Sequence, residues 1–518
     1  MSASPEREQY DAYVGQIARG AGMSSVGQGI SRLLGYATQV ALARMYGPAQ
    51  LGFYVLGVSL VQLVNILSQF GMDSGVVRYV ARYRAEGDEA RVRGTILFAL
   101  GATLGLSLAL SGLVFFGAGA LADLYGKAFL TSTFRLFALS IPFFAVMSIS
   151  LWAMQGFGTV KHATFVEQVL RPLANLGLVV VFYLLGVQVL GAIAAYVLSM
   201  VLGSVIALYY LRRIFPKLLD RKVPAKYGAG ELVGGSLPLM VASATNYANV
   251  WATTAILGIF VSAREVGIYN AASRTAALSG LVLMAFSGIF SPMVSNLYRK
   301  GSMAHLGYLY KDVSRWTFTG SLVFFLLIVL LSRDILAVFG EKFVSGWPAM
   351  VIIATAGLFG ASVGLTGRVL AMTGHEKTVM WARLGSALLS VVVGVALIPT
   401  YGLIGAAVAA ATGIFLVNAL TLFYLRRLLG FWPYNNQYLK PLLSGTLALG
   451  GAMLVGWALP LPAGLPTIAV LAPTFVVLFA AGVLVLRLSE SDRQFLRTVW
   501  AAIRRNTVGR KGAAEGGA

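Results

Sequence analysis

The chain has 518 residues, of which 58% are hydrophobic and only 11% are charged. Soluble globular domains carry about 25% charged residues, so this composition excludes a protein whose main solvent is water. Cysteine is absent, which excludes disulfides and thiolate metal sites, and the three histidines lie apart in polar connections. We therefore expect no metal site and no cofactor.

Fourteen apolar segments follow one another along the chain. Each is long enough, or nearly so, to cross a hydrocarbon core of about 30 Å as a helix. Backbone N–H and C=O groups cannot remain unpaired in lipid, so the segments must be helical. The predicted fold class is therefore an all-α polytopic membrane protein of about fourteen transmembrane helices. In chain order, segments 1 to 14 cover approximately residues 21–43, 49–72, 94–119, 134–157, 165–186, 189–211, 233–259, 267–294, 316–333, 347–371, 379–399, 403–424, 441–459 and 467–487.

Lysine and arginine are unequally divided between the two sides of this predicted bundle. If the N-terminus is cytoplasmic, 29 of the 40 basic residues lie in the termini and connections on that side, and 6 lie on the other. The positive-inside rule then puts both termini in the cytoplasm. The same distribution explains the net charge of +21 by contact with anionic membrane lipids. We therefore expect no nucleic-acid partner.

The first twelve segments contain an internal repeat. Gly52 corresponds to Gly267 at an offset of 215 residues, and Gly191 corresponds to Gly405 at an offset of 214. Ordered matches at a nearly constant offset predict two six-helix units in the same orientation, related by an axis along the membrane normal. Such parallel repeats suit a transporter whose halves move about a central site. The predicted organisation is an N-terminal cytoplasmic segment (1–19), an N-lobe (20–213), a basic linker (214–230), a C-lobe (231–427), two extra helices (428–487) and a basic cytoplasmic tail (488–518).

Five arginines lie inside the apolar segments, where a charge is costly and marks a candidate functional residue. Arg368 and Arg383 lie near the predicted cytoplasmic ends of segments 10 and 11, where long side chains reach the headgroups. Arg171 follows Glu167 by four residues, which predicts a mutually neutralising pair or a role in coupling or substrate contact. The set is Arg32, Arg171, Arg274, Arg368 and Arg383.

Arg32 and Arg274 have no acidic residue within one helical turn. An unpaired guanidinium at membrane depth needs water, an anion or a distant partner. Because guanidinium offers two parallel donors to phosphate oxygens, we predict an anion site; an interhelical structural arginine is the alternative.

Polar side chains recur along one face of segment 1 and again on segment 7. Helical spacing puts Gln28, Ser31 and Gly35 beside Arg32, and segment 7 has polar residues at related positions. These stripes indicate a wet cavity, with interhelical hydrogen bonding as the alternative. The candidate substrate-binding residues are Gln28, Ser31, Arg32, Asn246, Asn249 and Arg274.

Five ordered runs resemble a known family: ALARMYGP (41–48), LGFY (51–54), QFGMD (69–73), EVGIYNAASR (265–274) and GLIGAA (402–407). They are similar to those of bacterial polysaccharide transporters, the O-antigen-type flippases of the multidrug/oligosaccharidyl-lipid/polysaccharide exporter superfamily.

The resemblance implies a V-shaped pair of lobes with alternating access, in the bacterial inner membrane. It implies an undecaprenyl-pyrophosphate-linked oligosaccharide as the substrate and polysaccharide assembly proteins as possible partners. In related flippases cationic residues on helices 1 and 8 contact the pyrophosphate, and Arg32 and Arg274 stand on those helices here. Arg19, at the entrance to helix 1, is a further candidate for this role.

Three other functions are weighed against a flippase. A small-molecule or drug antiporter of the same superfamily typically has twelve helices and carboxylates for ion coupling, whereas Glu167 is the one clear intramembrane acid in this sequence. An enzyme acting on lipid-linked sugars usually needs a large outer loop or a cytoplasmic domain, and the connections predict neither. A non-transporting scaffold does not require deep arginines. The sequence therefore predicts a transporter and not an enzyme.

Overall fold

The computed structural model describes residues 5–220, 222–228, 251–459 and 462–486, with isolated residues between 230 and 247; side chains are described from residue 28 onward, except at 289. All regular secondary structure within these residues is helical, which confirms the all-α prediction. Short 3-10 or π-helical turns join several of the helices. Numbered in chain order, the α-helices are α1 (Pro5–Gln69), α2 (Met72–Ala85), α3 (Glu89–Leu124), α4 (Phe129–Ala138), α5 (Ser140–Gly156), α6 (Lys161–Thr164), α7 (Arg171–Leu184), α8 (Val189–Ile214), α9 (Thr253–Phe260), α10 (Ala263–Ala276), α11 (Leu281–Arg299), α12 (Met303–Ala337), α13 (Trp347–Val363), α14 (Thr366–Met372), α15 (Glu376–Leu429), α16 (Leu439–Ala458) and α17 (Leu465–Val485).

Ten stretches of the described chain are long and apolar enough to cross a membrane, or eleven if the bent run through α10 and α11 is one span. Two of the ten, Gln28–Gln69 and Glu376–Leu429, have 42 and 54 residues. At 1.5 Å per residue each is at least about twice as long as a hydrocarbon core is thick. The protein is thus a multi-pass membrane protein. The count of fourteen helices stays a prediction, because about half of segment 7 lies outside the described residues.

A glycine breaks each of these two long stretches where the sequence predicted a boundary between segments. Gly47 has φ 79° and ψ 176°, and Gly402 has φ 50° and ψ −124°. These positive φ values strain residues that carry a Cβ, whereas glycine adopts them freely. Pro48 follows Gly47 and has no N–H to continue the preceding helix. Gly47 therefore divides α1 into an N-terminal and a C-terminal half.

The C-terminal half of α1 and α10 cross with their backbones in direct contact. A Cβ added to Gly52 would lie 1.8 Å from the carbonyl oxygen of Ala263, and one added to Gly267 would lie 2.0 Å from that of Pro48. Ala263 and Gly267 follow Pro48 and Gly52 by the same 215 residues. Gly52 thus contacts the repeat equivalent of Pro48, and Pro48 contacts the repeat equivalent of Gly52. A two-fold axis that relates the repeats produces this reciprocal pattern. We call these four residues the seal.

The connections between helices gather at two ends of the bundle. At one end, the backbone N–H of Lys226 donates to the carbonyl of Ala90 over 3.0 Å, and Arg93 Nε donates to that of Leu218 over 3.0 Å. We call this end the basic side, after the basic connections 73–93 and 212–230 that meet there.

The other end, the opposite side, contains the seal. Here the Arg44 guanidinium donates to the carbonyls of Val338 and Ala337 over 2.6 and 2.8 Å, joining α1 to the end of α12. Tyr46 Oη donates to the carbonyl of Val187 over 3.4 Å. The contacts at this side join the connections that follow segments 1, 5 and 9, and those at the basic side join the connections that follow segments 2 and 6. This agrees with the predicted topology, in which successive connections lie on alternate sides. Which side faces the cytoplasm stays a prediction.

The last two helices pack against α12. Gly445 of α16 lies so close to α12 that an added Cβ would be 2.6 Å from the Leu326 side chain. Phe475 and Phe479 of α17 stack with ring centroids 6.0 Å apart and share a buried cluster with Leu326. α16 and α17 thus form a layer outside the part of the chain that contains the repeat.

Candidate functional site

A cavity of about 550 Å³ lies between both halves of α1, α7, α8 and α10, and we call it the central cavity. Most of its lining residues carry a polar group, and three of the five arginines of the apolar segments are among them; none of the described lining residues is acidic. The polar lining residues are Ser31, Arg32, Tyr36, Thr38, Gln39, Tyr54, Gln62, Arg171, Asn175, Tyr196, Trp251 and Arg274.

The N-terminal half of α1 presents its predicted polar stripe to this cavity. Ser31, Gly35 and Gln39 line it in steps of four residues, which put them on one face of the helix, and Arg32 lines it beside them. Gln28 is exposed one turn earlier and is not among the lining residues. Asn246 and Asn249 lie outside the described residues, so their predicted role stays a prediction, as does that of Arg19, whose side chain is not described.

Arg32 and Arg274 come to the same cavity from different helices. The Arg274 guanidinium carbon lies 5.0 Å from the centre of the Trp251 ring, a cation–π distance. Beside it, Tyr36 Oη and Thr275 Oγ1 are hydrogen-bonded at 3.2 Å, which ties α1 to α10. No ion pair involves either arginine within the described part of the chain. The arrangement leaves two guanidinium groups available to an anion.

Local helix structure explains how Arg274 is held. Ser262 and Glu265 form a capping box that starts α10, with Ser262 Oγ accepting from the Glu265 N–H at 3.3 Å. α10 ends at Ala276 and continues as a 3-10 turn, Ala277–Gly280. Arg274 is in the last α-helical turn, where the helix dipole favours a cation.

Arg171 is the cavity residue for which the sequence left two interpretations open. It lines the central cavity, its Nε is buried without a hydrogen-bond partner, and Asn175 lies one turn further on. Glu167 is exposed, and no ion pair within 4.0 Å joins these two described side chains. The predicted Glu167–Arg171 pair stays a prediction, while the position of Arg171 suits contact with a substrate.

A wide helical turn precedes Arg171. Residues Phe165–Leu170 form a π-helical turn, and Pro172 follows it. Proline has no N–H to donate to the carbonyl four residues earlier, and its ring clashes with that carbonyl, so the helix must widen or kink there. The signal in the sequence was the proline next to a membrane-buried arginine.

The opposite side of the cavity is closed by contacts between the two halves of the chain. Besides the seal and Arg44, Lys127 Nζ donates to the carbonyls of Gly258 and Tyr125 over 2.7 and 2.8 Å. Burial lowers the pKa of the Lys127 ammonium, and the nearby Glu265 opposes that shift. These contacts separate the central cavity from the opposite side.

Comparison with known proteins identifies the relatives of this arrangement. Residues 17–298, more than half of the chain, match the family described as polysaccharide biosynthesis protein. The probable low-salt glycan biosynthesis flippase Agl15 of Haloferax volcanii is 28% identical over 250 residues, which are 47% of this chain and 51% of that protein.

Two solved structures share the fold. The lipid II flippase MurJ in an inward closed conformation aligns with a TM-score of 0.73, 14% identity, and coverage of 89% of this chain and 97% of that one. An inward-facing multidrug resistance MATE family transporter aligns with a TM-score of 0.64 and 16% identity, covering 77% and 94%. The family resemblance inferred from the sequence is confirmed. The chain belongs to the polysaccharide biosynthesis protein family.

Proposed function

We propose that this protein is a flippase, which moves a polyprenyl-pyrophosphate-linked oligosaccharide from the cytoplasmic to the outer leaflet by alternating access. The observation that carries the proposal is the charge of the central cavity. Arg32, Arg171 and Arg274 line it, and no acidic residue is among the described lining residues. Three cationic groups without a carboxylate in this described wall favour an anionic substrate.

The chemistry of the guanidinium group suits a pyrophosphate. Its planar fork donates two parallel hydrogen bonds to phosphate oxygens, and each bond to a charged group contributes about 1.5–3 kcal/mol. Gln39 Oε1 and Asn175 Oδ1 are buried acceptors without hydrogen-bond partners. They are available to sugar hydroxyls next to the pyrophosphate.

The size of the cavity agrees with a headgroup and not with a whole lipid. Its volume of about 550 Å³ lies within the usual range of small-ligand sites, about 300–1,000 Å³. In this proposal the pyrophosphate and the adjoining sugars enter the cavity while the polyprenyl chain stays in the bilayer.

Alternating access follows from the two-fold relation of the lobes. The central cavity is closed at the opposite side by the seal and by Arg44. With the basic side in the cytoplasm, as the charge tally favours, this state faces inward and receives the substrate from the inner leaflet. Both termini are then cytoplasmic, and the membrane is the cytoplasmic membrane. Parting of the seal would release the headgroup outside.

A drug antiporter is the alternative, since a MATE transporter shares the fold. The central cavity argues against a cationic drug, because its described wall would present such a molecule with three arginines and no carboxylate. The match to the polysaccharide biosynthesis protein family and the similarity to a probable glycan biosynthesis flippase also support a lipid-linked sugar as the substrate.

The test is a flipping assay with the purified full-length protein in liposomes. The substrate is a fluorescent polyprenyl-pyrophosphate oligosaccharide, and an impermeant reductant reports which leaflet it occupies. We expect protein-dependent flipping of this lipid, and slower flipping of a neutral glycolipid with the same tail and sugar. Equal rates for the two lipids, or no flipping of the pyrophosphate lipid, would contradict the proposal.

A further inference from the structure

A second cavity, open on one side, lies within the C-terminal half of the chain and is lined by α11, α14 and α15. Its volume is about 340 Å³, and we call it the C-terminal cavity. Of the five arginines in the apolar segments, the two that do not line the central cavity line this one, together with four other polar side chains. These lining residues are Ser287, Thr366, Arg368, Arg383, Asn418 and Thr421.

Arg368 and Arg383 face this cavity as a pair of like charges. Both side chains are exposed to it, and among the described residues neither has a hydrogen bond or an ion pair. They are close enough to repel each other, and none of the lining residues is acidic. Simple snorkelling toward headgroups would not require both side chains to line one cavity from two helices.

Hydrogen bonds hold three of the four other polar side chains of the wall. Thr366 Oγ1 and Thr421 Oγ1 are hydrogen-bonded to each other at 2.9 Å, joining α14 to α15. Asn418 Nδ2 donates to the carbonyl of Ile414 over 2.7 Å, which fixes its amide orientation. The first of these contacts joins the two helices that carry the arginines.

The two cavities lie along one continuous helical run. Ala277 and Leu278 line the central cavity, and Leu283 and Ser287 line the C-terminal cavity further toward the basic side. An anion in the C-terminal cavity would therefore lie between the basic side and the central arginines.

We propose that the C-terminal cavity is a second anion site, which binds a phosphate or diphosphate group through Arg368 and Arg383. Two guanidinium forks on adjacent helices provide four or more donors to phosphate oxygens, and the bound charge removes their repulsion. The site rests on its own geometry, so it stands whether or not the protein flips a lipid. The group comes either from a lipid headgroup or from free phosphate.

The absence of cysteine allows a direct test in the full-length protein. Ser287→Cys puts a single thiol in the wall of the C-terminal cavity. We compare its rates of modification by a negatively and a positively charged methanethiosulfonate reagent. A cleft lined by one sign of charge raises the local concentration of counter-ions by about 10- to 1000-fold. The anionic reagent should therefore react at least about tenfold faster relative to the cationic one than at an exposed cysteine.

Variants then assign this preference to the two arginines. Arg368→Gln with Arg383→Gln, in the Ser287→Cys background, should remove most of the preference, whereas exchange of both to lysine should keep it. Arg427→Gln is the matched control, because Arg427 is exposed on the same helix and lies in neither cavity. If the glutamine pair fails to fold, two measurements still test the proposal. They are the reagent preference of the lysine pair and the slowing of thiol modification in the parent by inorganic pyrophosphate. An unchanged preference in the folded glutamine pair would overturn the proposal.

Protection experiments distinguish the two sources of the group. We expect inorganic pyrophosphate to slow modification of Ser287→Cys in the parent and not in the glutamine pair. Protection by a polyprenyl pyrophosphate in nanodiscs but not by inorganic pyrophosphate would assign the site to the lipid headgroup. Protection by both would assign it to the phosphate group alone. Protection by neither would overturn the anion site, while leaving the flipping assay and the central cavity untouched.

Discussion

The seal and the central cavity are built from the same two helices and differ in almost every physical property. At Gly52 and Gly267 the backbones of α1 and α10 touch with no side chain between them. Further along the same helices, Arg32 and Arg274 hold the walls of a polar space. The seal is a close backbone contact without charged groups, and the central cavity is lined by polar and cationic side chains.

The same two helices therefore pack closely at the opposite side and stay apart around the central cavity. Glycines permit close approach, so dispersion contacts stabilise the closed side. In the proposed function, an anion bound in the central cavity relieves the repulsion between the like charges of the arginines that line it.

Adding a side chain to the seal has the largest expected effect. In Gly52→Leu the new Cβ would lie 1.8 Å from a carbonyl oxygen, so the helices must separate. Overpacking costs about 1–3 kcal/mol, and a backbone contact leaves little room for relief. We expect the closed state to be depopulated and flipping to be nearly lost.

The measurement uses a single cysteine at Ala277, in the wall of the central cavity. An impermeant thiol reagent added at the opposite side should label it readily in Gly52→Leu and slowly in the parent. Gly101→Leu is the control, since an added Cβ there meets no atom within 4 Å. Equal labelling of parent and Gly52→Leu would show that the glycine contact does not close the cavity.

Removing Arg44 should loosen the same side to a smaller degree. Arg44→Ala loses two hydrogen bonds from a charged donor to the carbonyls of Ala337 and Val338. Because the side chain is exposed, we expect a cost of about 1 kcal/mol, which is roughly a fivefold rise in labelling at Ala277→Cys. Arg264→Ala, an exposed arginine on the same side, should leave labelling unchanged. A similar rise in both variants would remove the role of the Arg44 contacts.

The smallest effect is expected at Glu167. It makes no ion pair within 4.0 Å in the described chain, so Glu167→Gln leaves no close partner without its counter-charge, and we expect thermal unfolding and flipping to stay near normal. Arg171→Ala should instead lower the flipping rate per folded molecule, because it removes a charge from the central cavity. A neutralising pair gives a different pattern, in which both single variants unfold more easily and a double apolar variant is milder. Thermal unfolding and flipping of the four proteins decide between them.

The sequence predicted the features that depend on residue spacing, either within one helix or between the two repeats. The offset of 215 residues located the glycines that form the seal, and the three- and four-residue spacing of polar residues located the cavity wall on α1. The absence of a nearby acid singled out Arg32 and Arg274. Periodicity and neutralisation within one helix are properties of the sequence itself.

Features that depend on contacts between distant helices were not predicted. The π-helical turn Phe165–Leu170, which precedes Arg171, is not visible in a regular helical pattern. Arg368 and Arg383 sit near the ends of different segments, and only tertiary packing brings them to one cavity. The close approach at Gly52 likewise requires the crossing of two helices.

The measurement that tests the central claim most directly is the flipping rate per folded molecule in arginine variants of the central cavity. Arg32→Ala and Arg274→Ala each lose charge-assisted hydrogen bonds worth about 1.5–3 kcal/mol, so substrate affinity should fall about ten- to a hundredfold. Lysine keeps the charge but loses the planar fork, so both lysine variants should retain part of the activity. Arg427→Ala is the control. Normal flipping rates in well-folded Arg32→Ala and Arg274→Ala would contradict the account.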